Sequence, residues 1–216
     1  MDNSVNINND DAKDQVSAHD EHRDDEASKM GMWLFLFTEL LLFGGLFLVY
    51  TIYRFMNTDA FEHAGMQLDT NLGTVNTIVL ITSSYTAALS ITAVKSKEYI
   101  KAKYLLWTTI VFAGVFMVIK YFEWSAKISH GLFPGMDEFL SLPPGEGLFF
   151  FLYFFMTGLH AIHIIAGSVF IGFVIYYIDK GTVKFDDYVV LENAGLYWHI
   201  VDIIWIFLFP LFYLIA

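Results

Sequence analysis

Apolar positions in this chain come in long unbroken runs, not in the alternation of a half-buried strand or the narrow stripe of a surface helix. A helix needs roughly 20 residues to cross a bilayer. Five runs meet that length and predict helices near 30–54, 71–94, 101–124, 147–178 and 194–215. The fourth is long for one crossing, so it is expected to tilt or to project from the membrane. Connections are short except for 125–146, where Pro134-Gly135, Pro143-Pro144-Gly145 and the acids Asp137, Glu138 and Glu146 predict turns and an ordered loop. The pattern is that of an all-α polytopic membrane protein, with one five-helix domain over 29–216, no soluble domain and no internal repeat.

Composition agrees: 56% of residues are hydrophobic and 18% aromatic. The absence of cysteine excludes disulfides, thiolate metal sites, cysteine-held iron–sulfur clusters and a thiol nucleophile. The formal charge of −11 is concentrated at one end. Residues 1–28 carry nine acids against Lys13 and Arg23, leaving −4 for everything after them. Such an acidic, Asn/Asp-rich lead is expected to be a disordered tail in isolation. Without an apolar core it is no signal peptide, so the first helix is expected to direct insertion. Nothing suggests nucleic-acid binding, which needs clustered positive charge.

Lys and Arg counts set the expected orientation. The tail and the 95–103 and 179–193 connections hold Lys13, Arg23, Lys29, Lys95, Lys97, Lys101, Lys103, Lys180 and Lys184, whereas Arg54, Lys120 and Lys127 lie on the other side. The bias predicts a cytoplasmic N-terminus and an outer C-terminus.

Polar side chains inside apolar runs are the candidate chemistry, because they are costly at membrane depth. Thr157-Gly-Leu-His-Ala-Ile-His-Ile-Ile-Ala-Gly167 places His160 and His163 one turn apart, and Tyr197-Trp-His-Ile-Val-Asp202 does the same for His199 and Asp202. Glu39 lies roughly 13 Å into the first helix at 1.5 Å per residue, near the bilayer centre. It reads either as a relay group or polar anchor in a cleft, or as polar glue between helices. The histidines invite a metal site completed by His199, Asp202, Glu39 or Glu123. A dihaem arrangement, however, needs single histidines facing each other on two helix pairs, which this spacing does not provide. The plainer reading is hydrogen bonding between helices, with His199 and Asp202 satisfying one another. Glu123, in Lys120-Tyr-Phe-Glu-Trp124, falls at the outer end of the third helix, a position suited to an interface anchor. Gly44-Gly45, Ser83-Ser84, Ala87-Ala88, Gly158, Ala166 and Gly167 allow close helix approach.

Four of these motifs together resemble the cytochrome c oxidase subunit III family. They are Phe37-Thr-Glu39, Lys120-Tyr-Phe-Glu-Trp124, Phe154-Phe-Met-Thr-Gly-Leu-His-Ala-Ile-His163 followed by Gly167, and Tyr197-Trp-His-Ile-Val-Asp-Ile-Ile-Trp-Ile-Phe-Leu-Phe-Pro210, in order over about 30–216. The chain is similar to the family's five-helix bacterial form. Ala161 departs from the Gly that many relatives carry between the histidines, and the acidic tail has no counterpart.

The resemblance implies a non-catalytic accessory subunit of a haem–copper terminal oxidase in the bacterial cytoplasmic (inner) membrane, within a complex that reduces oxygen to water and pumps protons. It implies no metal and no catalytic residue on this chain, with haem and copper in partner subunits. The implied partners are subunit I as the main contact, subunit II, and a larger respiratory supercomplex. Structural phospholipids would sit in a cleft within a V-shaped bundle. Glu39 and His163 would line or brace that cleft, Glu123, His199 and Asp202 would pin helices together, and His160 would belong to the same buried polar brace. Two other readings stand beside it: subunit III of a quinol oxidase or a homologue accompanying a nitric oxide reductase, and, in a different class, a secondary transporter with an ion site at Glu39. Against the transporter stand the missing inverted repeat and the lack of broken helices.

Overall fold

The computed structural model describes residues 9–185 and 187–214, and for residues 9–24 only the backbone. Its elements are α1 (Asn9–Met56), α2 (Thr58–Gly65), α3 (Thr70–Lys95), α4 (Tyr99–Ser129), α5 (Asp137–Leu140), α6 (Pro144–Asp179), α7 (Val189–Phe209) and a closing π-turn (Pro210–Leu214). There is no strand among the described residues. Among the described residues, five helical segments are long and apolar enough to cross a membrane: Asp25–Met56, Thr70–Lys95, Tyr99–Ser129, Pro144–Asp179 and Val189–Leu214.

The five expected spans each match one of these segments, and the differences lie at the ends. The first eight residues of the expected disordered tail lie outside the described residues; from Asn9 the backbone is helical and continuous with the first span. No Pro or Gly interrupts it before Gly31, so the helix has nothing to stop on. Two short helices stand in the connections: α2 between the first two spans, and α5 within the 125–146 stretch expected to form turns and an ordered loop. Asp69 starts α3 sharply by accepting from the backbone N–H groups of Asn71 (2.9 Å) and Leu72 (3.3 Å). The α3–α4 turn closes on Lys97, a left-handed residue at φ 63°, with Glu98 N–H bonded to the Ala93 carbonyl at 2.8 Å.

α3 packs along α4 and α7, α6 packs along α7, α4 and α2, and α1 flanks the group through α7 and α6. Small residues bring these axes close. A Cβ on Gly167 of α6 would meet the Trp198 and Tyr197 rings at 2.9 Å, so only glycine lets α7 seat there. Hydroxyls within the spans are satisfied on their own helices, as where Thr77, Thr157 and Ser168 donate to carbonyls one turn back. The outward faces of α1, α4 and α6 stay rich in exposed Phe, Leu, Ile, Val and Trp, among them Trp33, Phe37, Trp107 and Phe155. A chain with this surface is built for lipid or for other membrane subunits.

Candidate functional site

Successive membrane-length helices alternate in direction around a buried polar layer whose members come from every long helix. At one end of this layer α4, α6 and the π-turn meet. Lys120 Nζ donates to Glu123 Oε2 at 3.0 Å, to Tyr153 Oη at 3.1 Å and to Tyr213 Oη at 2.8 Å. Glu123 Oε1 in turn accepts from Tyr153 at 2.7 Å and Tyr213 at 2.5 Å. The Lys120 ammonium also lies 5.2 Å from the Trp205 ring centroid. Lys120 is 1% exposed and Glu123 3%. Both charges therefore need this full set of partners, since an unpaired buried charge is among the costliest groups a chain can hold.

Glu123, expected from its position as an interface anchor and from the resemblance as a residue that pins helices, is buried between α4, α6 and the π-turn, and Lys120 is buried beside it. Tyr153 and Tyr213 were not singled out from sequence. The available signal was the spacing of three between Lys120 and Glu123 inside an apolar run, which puts both on one helical face.

Glu39 and His163 meet across α1 and α6, with Glu39 Oε2 2.9 Å from His163 Nε2 and both side chains mostly buried. His163 Nδ1 donates to the Leu159 carbonyl at 2.8 Å, because a carbonyl only accepts. That leaves Nε2 for the carboxyl. The contact is close but not aligned as a hydrogen bond, so the two groups meet as an electrostatic contact between α1 and α6. Phe43 stands edge-on to the imidazole at 5.4 Å, and Tyr197 Oη donates to the His163 carbonyl at 3.2 Å. The pair thus ties the flanking α1 to the bundle.

The remaining candidates separate. His160 points into the bundle, stacked on Trp205 at 5.3 Å and edge-on to Phe116 at 5.6 Å, with no hydrogen bond at either ring nitrogen. His199 does not pair with Asp202: its Nδ1 lies 2.5 Å from Ser84 Oγ on α3. Asp202 is 4% exposed, and neither carboxyl oxygen is hydrogen-bonded. Trp198 and Trp205 donate to Ser83 and Thr77, both at 3.0 Å, which sets the α3–α7 register. The four-residue centre imagined from His160, His163, His199 and Asp202 is not assembled. Among the described residues no group of three or more His, Cys, Asp or Glu side chains is placed to hold a metal ion.

Five apolar helices around an internal polar layer define a polytopic α-helical integral membrane protein. A family model for cytochrome c oxidase subunit III matches residues 11–216, and the chain belongs to that family. Its relatives include the heme-copper oxidase subunit I+III of Aeropyrum pernix, 31% identical over 87% of this chain but only 22% of that longer protein. Cytochrome c oxidase subunit 3 of Thermostichus vulcanus is 28% identical over 90% of each chain. The cytochrome bo(3) ubiquinol oxidase subunit 3 of Pseudomonas putida is 28% identical over 90% of this chain and 89% of its own.

Proposed function

We propose that this chain is a non-catalytic accessory subunit of a haem–copper terminal oxidase, seated beside subunit I in a bacterial cytoplasmic membrane with its N-terminus inside. It stabilises subunit I, retains phospholipid and supports proton uptake, while haem and copper belong to the partner subunits. The match to the subunit III family over nearly the whole chain carries this reading. Two structural features support it: every strong polar group of the outer cluster is used in bracing helices, and α1, α4 and α6 present apolar faces suited to lipid and to a membrane partner. The Aeropyrum relative, in which subunits I and III share one chain by name, supports subunit I as the neighbour. A V-shaped lipid cleft would open beside α1, where Glu39 and His163 hold the flanking helix. The acidic tail would lie on the inner side as the lead to the first span.

A quinol-oxidizing complex is the second reading, favoured by the ubiquinol oxidase relative. Affinity purification of the tagged chain from native membranes tests both. A co-purifying subunit I with haem absorption is the expected result, and a dicopper-bearing subunit II identifies cytochrome c as donor. Recovery of the chain without any oxidase subunit overturns the proposal.

A further inference from the structure

Three side chains in the middle of the bundle lack a partner within the chain. Asn76 on α3, His160 on α6 and Asp202 on α7 are 0%, 0% and 4% exposed, and none of their six side-chain nitrogen and oxygen atoms makes a hydrogen bond. His160 and Asp202 lie beside Trp205, and Asn76 lies next in sequence to the residue that takes its indole N–H. His160 stacks on its ring, its indole N–H goes to Thr77 beside Asn76, and Asp202 lies one turn before it on the same face of α7. Buried polar groups are nearly always satisfied by protein or by ordered water, and a polar interior of this kind is where buried water resides.

The layer has a route to the lysine-rich end of the bundle. A cavity of about 390 Å³ there is lined by Lys29, Trp33, Lys95, Glu192, Asn193 and His199, which is room for several waters. Glu192 sits between the two lysines, 2.9 Å from Lys29 and 3.6 Å from Lys95. His199 Nδ1 is committed to Ser84 Oγ at 2.5 Å, so Nε2 is the atom left for cavity water. Asp202 lies one turn after His199 on the same face of α7, the face that Ser84 approaches. The Ser84 hydroxyl therefore stands on the side of α7 that carries both the cavity histidine and the buried acid.

We propose that this layer is a hydrated proton-binding site in which Asp202 holds the proton and His199 with Ser84 delivers it from the cavity. A hydronium in the cavity gives its proton to His199 Nε2 and leaves as water. The Nδ1 proton then moves to Ser84 Oγ as the Ser84 hydroxyl proton moves to the Asp202 carboxylate. Asp202 ends as the neutral acid, and His199 returns to neutral as its other tautomer. The surrounding elements bring Glu39 (α1), Lys120 (α4), His160 and His163 (α6) and Tyr213 (π-turn) to this interior. α3 contributes the uncharged Asn76, Ser83 and Ser84, with Lys95 at the cavity rim. The role, a proton store beside the uptake face of an oxidase, rests on the accessory reading; the site itself rests on the geometry.

The test is infrared spectroscopy of the full chain in lipid nanodiscs and of the native complex, following the carboxylic acid C=O band during exchange from H₂O into D₂O. A band that shifts in the fast phase of exchange and is missing from Asp202→Asn is expected. Its shift should slow by about tenfold or more in both Ser84→Ala and His199→Phe, as for loss of a positioned proton-transfer group. The proposal is overturned by the absence of an Asp202 band, by exchange only together with the most protected amides, or by a shift as fast in the Ser84 and His199 variants as in the unaltered chain. Failure of the accessory reading looks different: the band and its kinetics persist in the full chain while no oxidase subunit accompanies it.

Discussion

Cutting the Lys120–Glu123 pair from either side should cost unequal amounts. In Glu123→Leu the Lys120 ammonium keeps only two phenol oxygens and aromatic ring faces, with no countercharge at 3.0 Å. In Lys120→Met the Glu123 carboxylate keeps two tyrosine donors, at 2.7 Å and 2.5 Å. Breaking a buried ion pair costs about 3–5 kcal/mol. Glu123→Leu should fall at the upper end and Lys120→Met at the lower. The double variant removes both charges and should lose no more than about 2 kcal/mol, since apolar replacement of a whole buried pair is often close to neutral. Reversible unfolding in mixed micelles, followed by circular dichroism, measures all three. Additive losses, or single losses under about 1 kcal/mol as at exposed pairs, would show that the cluster does not brace the helices.

Other perturbations separate packing from charge. Gly167→Leu should cost about 1–3 kcal/mol through overpacking against Trp198 and Tyr197, while Ile162→Ala, on the exposed face of the same helix, should stay within about 0.5 kcal/mol; the same unfolding assay reads both. Glu39→Gln combined with His163→Phe should show a coupling of about 0.5–3 kcal/mol in a double-mutant cycle, as for contacting residues, and zero coupling would mean the two do not meet. Glu192→Gln should change stability by less than about 1 kcal/mol, because Lys29 and Lys95 are half exposed and well solvated.

Much of this fold was readable from the chain because a bilayer allows so few solutions: an apolar run of sufficient length must be a helix. Hence all five spans match, while α2 and α5, too short to register as runs, did not show. Polar contacts were harder. Spacing places His199 and Asp202 on one face, but cannot reveal that Ser84 on α3 approaches closely enough to take the histidine. His160 and His163, three residues apart, face different surroundings: one enters an aromatic cage, the other meets Glu39. The partners of Lys120 were hidden in the same way: Tyr153 and Tyr213 lie 33 and 93 positions away, and only the packing of α6 and α7 against α4 brings them to one depth.

We propose a chain that supports an oxidase without carrying its redox chemistry. Oxygen consumption by the purified complex with and without the chain, recorded over sustained turnover beside the haem spectrum, separates the two roles. An unchanged haem spectrum and a similar initial rate are expected, with activity decaying faster once the chain is removed. Immediate loss of haem absorption or of the initial rate on removal would contradict that proposal.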